Sequence, residues 1–141
     1  MKNFDYYNPT HIVFGQDRLA KLDTLIPQGA KVMVLYGGGS VKRNGALDKV
    51  LSNLGDREVI EFAGIEPNPK FTTLMQAVTL ARSEKVDFLL AVGGGSVMDG
   101  TKFVALAAKM ENDHHKMLLH GFRPVPANEA LPLGCVATLP A

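Results

Sequence analysis

Leu89 to Phe103 reads LLAVGGGSVMDGTKF: an apolar run, three consecutive glycines, a serine, and then a stretch with helical spacing. The run that leads into it, Val86 to Val92 (VDFLLAV), is short and bounded, and its FLLAV stretch is apolar throughout, as a strand covered on both faces is. Beyond Ser96, the residues Val97, Phe103, Val104, Ala107 and Met110 place apolar side chains along one helical stripe over 97–110. The same order occurs upstream. Lys31 to Tyr36 (KVMVLY) is a second compact apolar run, Gly37-Gly38-Gly39-Ser40 follows it directly, and Leu47, Val50, Leu51 and Leu54 share a helical face within 43–54. Two strand–GGGS–helix units in one chain predict an α/β protein.

The remaining segments fill in the alternation. Glu58 to Phe62 (EVIEF) reads as a strand, Gly64 to Pro69 (GIEPNP) as a rigid polar loop, and Lys70 to Glu84 as a helix carrying Phe71, Leu74, Met75, Val78 and Ala81. Leu131 to Ala137 reads as a last strand despite Pro132 and Gly134. The βαβαβ order with short links predicts a Rossmann-like, mostly parallel sheet with helices on both faces. Three segments sit outside that repeat. His11 to Phe14 is expected to be a short extended edge strand, and Gln16 to Ile26, with Leu19, Leu22 and Ile26, a helix ended by Pro27 and Gly29. Residues 111–130 are expected to form a loop over the ligand edge, with one short helix at Lys116 to His120. No closing helix follows the last strand. That is read as an incomplete domain, or alternatively as an edge strand that needs no cover.

Composition sets the bounds. The 141 residues suit one domain, and 46% hydrophobic with 21% charged residues is globular rather than disordered. A net charge of +1 gives no reason to expect a polyanion partner. The single cysteine excludes an intrachain disulfide and a cysteine-cluster metal site. Glycine, at 14 residues, is the anomaly, and six of them lie in the two triplets. The opening MKNFDYYNPT lacks the apolar stretch of a signal peptide, and no window is apolar enough to span a bilayer, so a cytoplasmic protein is expected.

Strand-to-helix turns at the carboxyl edge of an open α/β sheet are where such sheets bind ligands. Glycine removes Cβ there, so a ligand can approach the amides, and the following helix offers unpaired N–H groups to an anion. Gly94, Gly95 and Ser96 are therefore candidates for a pyrophosphate cradle. Asp99, three residues on, either caps Ser96 or faces the cleft toward ribose hydroxyls. Gly37, Gly38, Gly39 and Ser40 are candidates for the adenosine side. No acidic residue stands in that turn and Lys42 and Arg43 follow, which favours NADP over NAD unless the two cations are simply solvated. Asn68 is either a cofactor contact or part of a proline-stiffened loop. The GxGxxG fingerprint, the P-loop and the GxSxG elbow are all missing. His11, His114, His115 and His120 do not space as a metal site; His114 and His115 are expected in solvated loop, and Cys135 as a buried filler.

The strings THIVFG (10–15), GGGSVK (37–42), GIEPNP (64–69), LLAVGGGSVMDGTKF (89–103) and CVATLPA (135–141) resemble the amino-terminal domain of iron-containing, group III alcohol dehydrogenases. The butanol dehydrogenase-like, NADPH-dependent aldehyde reductase branch is the nearest in pattern. The resemblance implies that residues 1–141 are the truncated NAD(P)-binding domain of a longer, two-domain homodimeric enzyme. Its helical second domain would supply Asp and His ligands to iron or zinc, with a small alcohol or aldehyde in the cleft. It implies that Gly37 to Ser40 lie near the ribose and its 2′ substituent. Gly94, Gly95 and Ser96 would cradle pyrophosphate with Asp99 beside the ribose, Asn68 would touch cofactor, and Thr138 and Leu139 would stand on the nicotinamide side. It also implies that this chain holds no metal, has no catalytic residue of its own and is inactive in isolation. A glycerol dehydrogenase-like or dehydroquinate synthase-like domain, or a non-catalytic nucleotide-binding module, is the alternative.

Overall fold

Val32, Met33, Val34, Leu35 and Tyr36 are all buried, as are Leu89 to Gly93, because each run is covered on both faces. These runs are the two central strands in the computed structural model, which describes residues 5–112, 114–119 and 129–138. In chain order, a single 3₁₀ turn (Arg18–Lys21) leads into α1 (Leu22–Leu25), β1 (Val32–Tyr36), α2 (Ser40–Arg43) and α3 (Ala46–Ser52). Then come β2 (Val59–Phe62), α4 (Phe71–Ser83), β3 (Phe88–Gly93), α5 (Gly95–Ala107), a 3₁₀ segment (His114–Leu119) and β4 (Leu133–Ala137).

The sheet order is β2-β1-β3-β4 and every pairing is parallel. Met33, Leu35, Leu89 and Ala91 face α4 and α5, where Leu74, Ala77, Val78, Ala81, Val104 and Ala105 complete one core. Val32, Val34, Tyr36, Leu90 and Val92 face the other way, onto Leu22, Ile26, Val41, Leu47, Val50 and Leu54. Alternate residues of each strand thus feed the two layers, as the pleat requires.

Gly100 sets how closely the first of these layers packs. A Cβ there would stand 2.9 Å from Leu74 Cδ2 and 3.5 Å from Ile65 and Pro69, so α5 lies against α4 and against the 64–69 loop at the same point. At the amino edge of the sheet, Lys31 Nζ meets Glu58 at 2.8 Å and Glu84 at 2.9 Å, while its N–H donates to Asp87 at 2.9 Å. The charged anchoring is therefore at the edge opposite the glycine turns.

Several sequence expectations shift. His11 to Phe14 forms no strand; Ile12 and Phe14 are exposed and the segment pairs with nothing in the sheet. The helix expected over 16–26 is one 3₁₀ turn and one α turn. The helix expected over 43–54 is split, because Gly45 takes φ +76° and the Asn44 carboxamide accepts the Ala46 N–H at 3.0 Å. The helix after β3 starts at Gly95, directly from the turn. The short helix near 116–120 is the 3₁₀ segment His114–Leu119, and the rest of the expected 111–130 loop lies in part outside the described residues, as does His120. β4 is an edge strand, so Cys135 is exposed rather than a buried filler.

Candidate cofactor-binding site

β1 leads to β2 on one side, and the chain then crosses to β3 on the other, so the strand order reverses between β1 and β3. That crevice, outside the carboxyl ends of the strands, is where open α/β sheets take ligands. Tyr36 and Val92 are register partners, so the turns Gly37–Ser40 and Gly93–Ser96 leave the sheet side by side at one edge.

The 64–69 loop is stitched to both turns. Ile65 N–H donates to Tyr36 O and Gly64 N–H to Gly37 O, each at 3.2 Å, while Asn68 N–H donates to Ser96 Oγ at 3.3 Å. Asn68, between Pro67 and Pro69, adopts φ +53°, a conformation Asn tolerates better than most residues. Glu66 anchors the loop from behind: its Oε1 accepts the Thr73 hydroxyl at 2.7 Å, which ties the loop to the first turn of α4. The same bond holds the Glu66 carboxyl below the usual carboxylate range.

The glycines divide into two groups. Some are required by the backbone itself. Gly39 has φ +108°; Gly93 has φ +156° and a Cβ there would meet Val97 Cγ2 at 2.8 Å; a Cβ on Gly37 would meet Ile65 O at 3.2 Å. Gly38 and Gly95 are different. Neither has a positive φ, and a Cβ on either would meet nothing within 4 Å. The fold does not need glycine at these two positions, and both are exposed toward the shared edge. What glycine does there is leave the amide surface bare. The N–H groups of Gly95 and Ser96 open α5 and donate to no backbone group among the described residues. A dinucleotide phosphate fits such a cradle, since it needs close approach to backbone and free donors.

The other candidates fall as follows. Ser40 is the exposed first residue of α2. Ser96 is half-buried and already accepts the Asn68 N–H. The capping bond between Ser96 and Asp99 does not form; Asp99 is exposed and pairs with Lys102 at 3.3 Å. Thr138 N–H donates to Gly93 O at 3.1 Å, which places it against the second turn, and Leu139 lies outside the described residues. Lys42 Nζ stands over the Tyr36 ring, 5.2 Å from its centroid, and the Tyr36 hydroxyl donates to Glu61 at 2.7 Å. The Tyr36 hydroxyl holds the Lys42 pKa above its ordinary value, with the nearby Glu61 and Asp48 charges adding to it. This Tyr36–Lys42–Glu61 cluster was not foreseen from the sequence. Its signal was a tyrosine ending an otherwise aliphatic strand.

Among the described residues no group of three His, Cys, Asp or Glu side chains converges. These residues do not assemble a metal donor set. His114 is half-buried, with Nε2 3.1 Å from Met110 O, and His115 is exposed. Among the described residues no helix is long and apolar enough to cross a membrane.

Residues 9–141 match the profile of the iron-containing alcohol dehydrogenases. The whole chain is 54% identical, over 143 residues, to the NADPH-dependent aldehyde reductase YqhD of Escherichia coli, and spans 36% of that protein. It is 43% identical over 144 residues to a probable NADH-dependent butanol dehydrogenase of Bacillus subtilis, again over the whole chain and 36% of the relative. The solved structure of the substrate- and cofactor-free form of YqhD superposes with a TM-score of 0.91 at 51% identity, covering 99% of this chain and 37% of that one. The chain therefore spans a little over a third of the length of the relatives it matches, and within that span the sheet, the paired glycine turns and the sequence agree: it belongs to the iron-containing alcohol dehydrogenase family.

Proposed function

We propose that this chain is the dinucleotide-binding part of a longer NAD(P)-dependent alcohol dehydrogenase or aldehyde reductase. The observation that carries this is the pair Gly38 and Gly95, two glycines that the backbone does not require, in adjacent turns at the switch point of the sheet. Gly94, Gly95 and Ser96 would hold the pyrophosphate, Gly37 to Ser40 the adenosine side, and Asp99, Asn68 and Thr138 the ribose and nicotinamide flank. The bound nicotinamide would supply hydride to a small aldehyde, or take it from a small alcohol. The protein's part here is to bind and orient the cofactor against the sheet edge. NADPH is the preferred cofactor on this reading, supported by the absence of a carboxylate in the first turn and by the name of the 54% identical relative. The metal, iron or zinc, would be held by residues outside those described, and the chain on its own would bind cofactor without turnover.

A homodimer in the cytoplasm completes the reading. The exposed side chains of Tyr6, Tyr7, Ile12 and Phe14 support self-association, because so many large apolar groups in one segment are costly to leave in water.

The test is titration of NADPH and NADH followed by nicotinamide fluorescence, with a Gly95→Val variant alongside. A Cβ at this position meets no protein atom within 4 Å, so the melting temperature should hold while cofactor affinity falls by about tenfold or more, the equivalent of about 1.4 kcal/mol. Equal affinity in the two proteins would remove the turn from the binding site.

A further inference from the structure

The two cations that follow the first glycine turn are not equivalent. Lys42 is turned back toward the sheet, where its ammonium sits over the Tyr36 ring beside the Tyr36–Glu61 hydrogen bond. A cation in that position is held by a ring face and by a neighbouring carboxylate charge, and leaving it would forfeit both. Arg43, about a quarter-turn further round α2, points the other way. Its Nη1 lies 3.6 Å from the place where a Cβ on Gly39 would stand. The guanidinium thus lies within van der Waals reach of the Gly39 backbone. Arg43 is exposed, and its side chain makes no hydrogen bond or ion pair among the described residues.

We propose that Arg43, and not Lys42, is the side chain that selects a 2′-phosphorylated dinucleotide. This deepens the cofactor reading above and rests on it. A 2′-phosphate carries close to two negative charges and three acceptor oxygens near neutral pH. Recognising it takes donors in a planar fork, which a guanidinium has and an ammonium lacks. Gly39 is part of the device. Its φ of +108° favours glycine, and no side chain at position 39 stands beside the Arg43 guanidinium. A ribose bearing a free 2′-hydroxyl offers Arg43 no charge to meet, so Arg43 should discriminate between cofactors without being needed for either to bind.

The experiment measures NADPH and NADH dissociation constants in the unmodified protein and in Arg43→Ala, Arg43→Lys and Lys42→Ala, at low and at physiological salt. Charge-assisted hydrogen bonds are strong enough that Arg43→Ala should weaken NADPH binding roughly tenfold or more while changing NADH by less than about twofold. Arg43→Lys should recover only part of the loss. The extra salt sensitivity of NADPH over NADH should vanish in Arg43→Ala. Lys42→Ala should leave the NADPH-to-NADH ratio unchanged and lower the melting temperature instead. A proportional loss of both cofactors in Arg43→Ala, or a selective loss of NADPH in Lys42→Ala, overturns the assignment and leaves the cofactor reading standing. Binding of neither cofactor by the unmodified protein overturns both.

Discussion

Replacing Arg57 with Met is expected to destabilise the protein by about 3 kcal/mol or more, the scale of losing several hydrogen bonds from one buried charged group. The Arg57 side chain is 1% exposed. Its Nη2 donates to the carbonyls of Asp23 and Ile26, both at 2.7 Å, and its Nη1 to Leu54 O at 2.8 Å and to the Asp23 carboxylate at 3.0 Å. Nε donates to Pro27 O at 3.1 Å. These acceptors lie at and just beyond the carboxyl ends of α1 and α3, where helical carbonyls lose their intrahelical donors. One guanidinium therefore closes both helix ends and fixes the layer beneath the first glycine turn. Met would fill the volume and strip the carbonyls of their charged donor. Pro27 O and Leu54 O would keep only the backbone N–H groups of Ala30 and Arg57, Asp23 O the Gln28 carboxamide, and Ile26 O no other donor among the described residues. An unsatisfied buried carbonyl costs about 1–3 kcal/mol where water cannot replace the bond. Urea unfolding of both proteins checks this; a midpoint shift smaller than a surface substitution gives would show that the carbonyls are rewetted.

The same contact gives a small pH dependence. The Arg57 hydrogen bond, and then that of Gln28, hold the Asp23 carboxyl below its ordinary value. A carboxyl depressed in the folded state stabilises that state above the unfolded carboxyl pKa, and the contribution fades as pH falls through the folded one. The acid limb of the stability curve should therefore be steeper in the parent than in Arg57→Met. Asp23 is largely exposed, so the difference should be small beside the loss of the carbonyl bonds.

What the sequence reveals here follows the range of the forces involved. KVMVLY and FLLAV announce buried parallel strands because burial on both faces leaves no polar position, and that is a property of the run itself. The GGGS turns are equally local. The break inside 43–54 was also written locally, as Asn44-Gly45, a turn pair whose side-chain bond to Ala46 and left-handed glycine outweigh the apolar stripe on either side. Other outcomes depend on groups distant in the chain. Ser96 and Asp99 have capping spacing, but Ser96 Oγ is engaged by the Asn68 N–H, 28 residues away, and Asp99 turns to Lys102. Cys135 has the neighbours of a core residue, and only its place in the strand order puts it at an edge. His11 to Phe14 has strand composition without a strand beside it, and composition cannot supply a partner. Which of Lys42 and Arg43 is available to a ligand likewise depends on Tyr36 and Glu61 lying within reach, and no spacing rule encodes that.

Gly93→Ala is the second large effect expected, and it separates the two kinds of glycine within one turn. At Gly93 the backbone has φ +156°, a region L-residues rarely enter, and an added Cβ would stand 2.8 Å from Val97 Cγ2 and 3.2 Å from Val97 Cβ. Val97 cannot swing aside cheaply: it is β-branched, so χ1 is restricted within α5, and it is buried against the core. Backbone strain of about 1–3 kcal/mol and overpacking of about 1–3 kcal/mol both apply, so a loss of roughly 2–6 kcal/mol is expected. The relief available to the chain is to move the first turn of α5 away from β3, which carries Ser96 away from the Asn68 N–H and opens the clamp between the two loops. Gly93→Ala should therefore lose thermal stability and cofactor affinity together. Gly95→Val, two residues on, should lose affinity alone, because an added Cβ there meets no protein atom within 4 Å. If the two variants behaved alike in a melt, the turn would be held by something other than the contact between Gly93 and Val97.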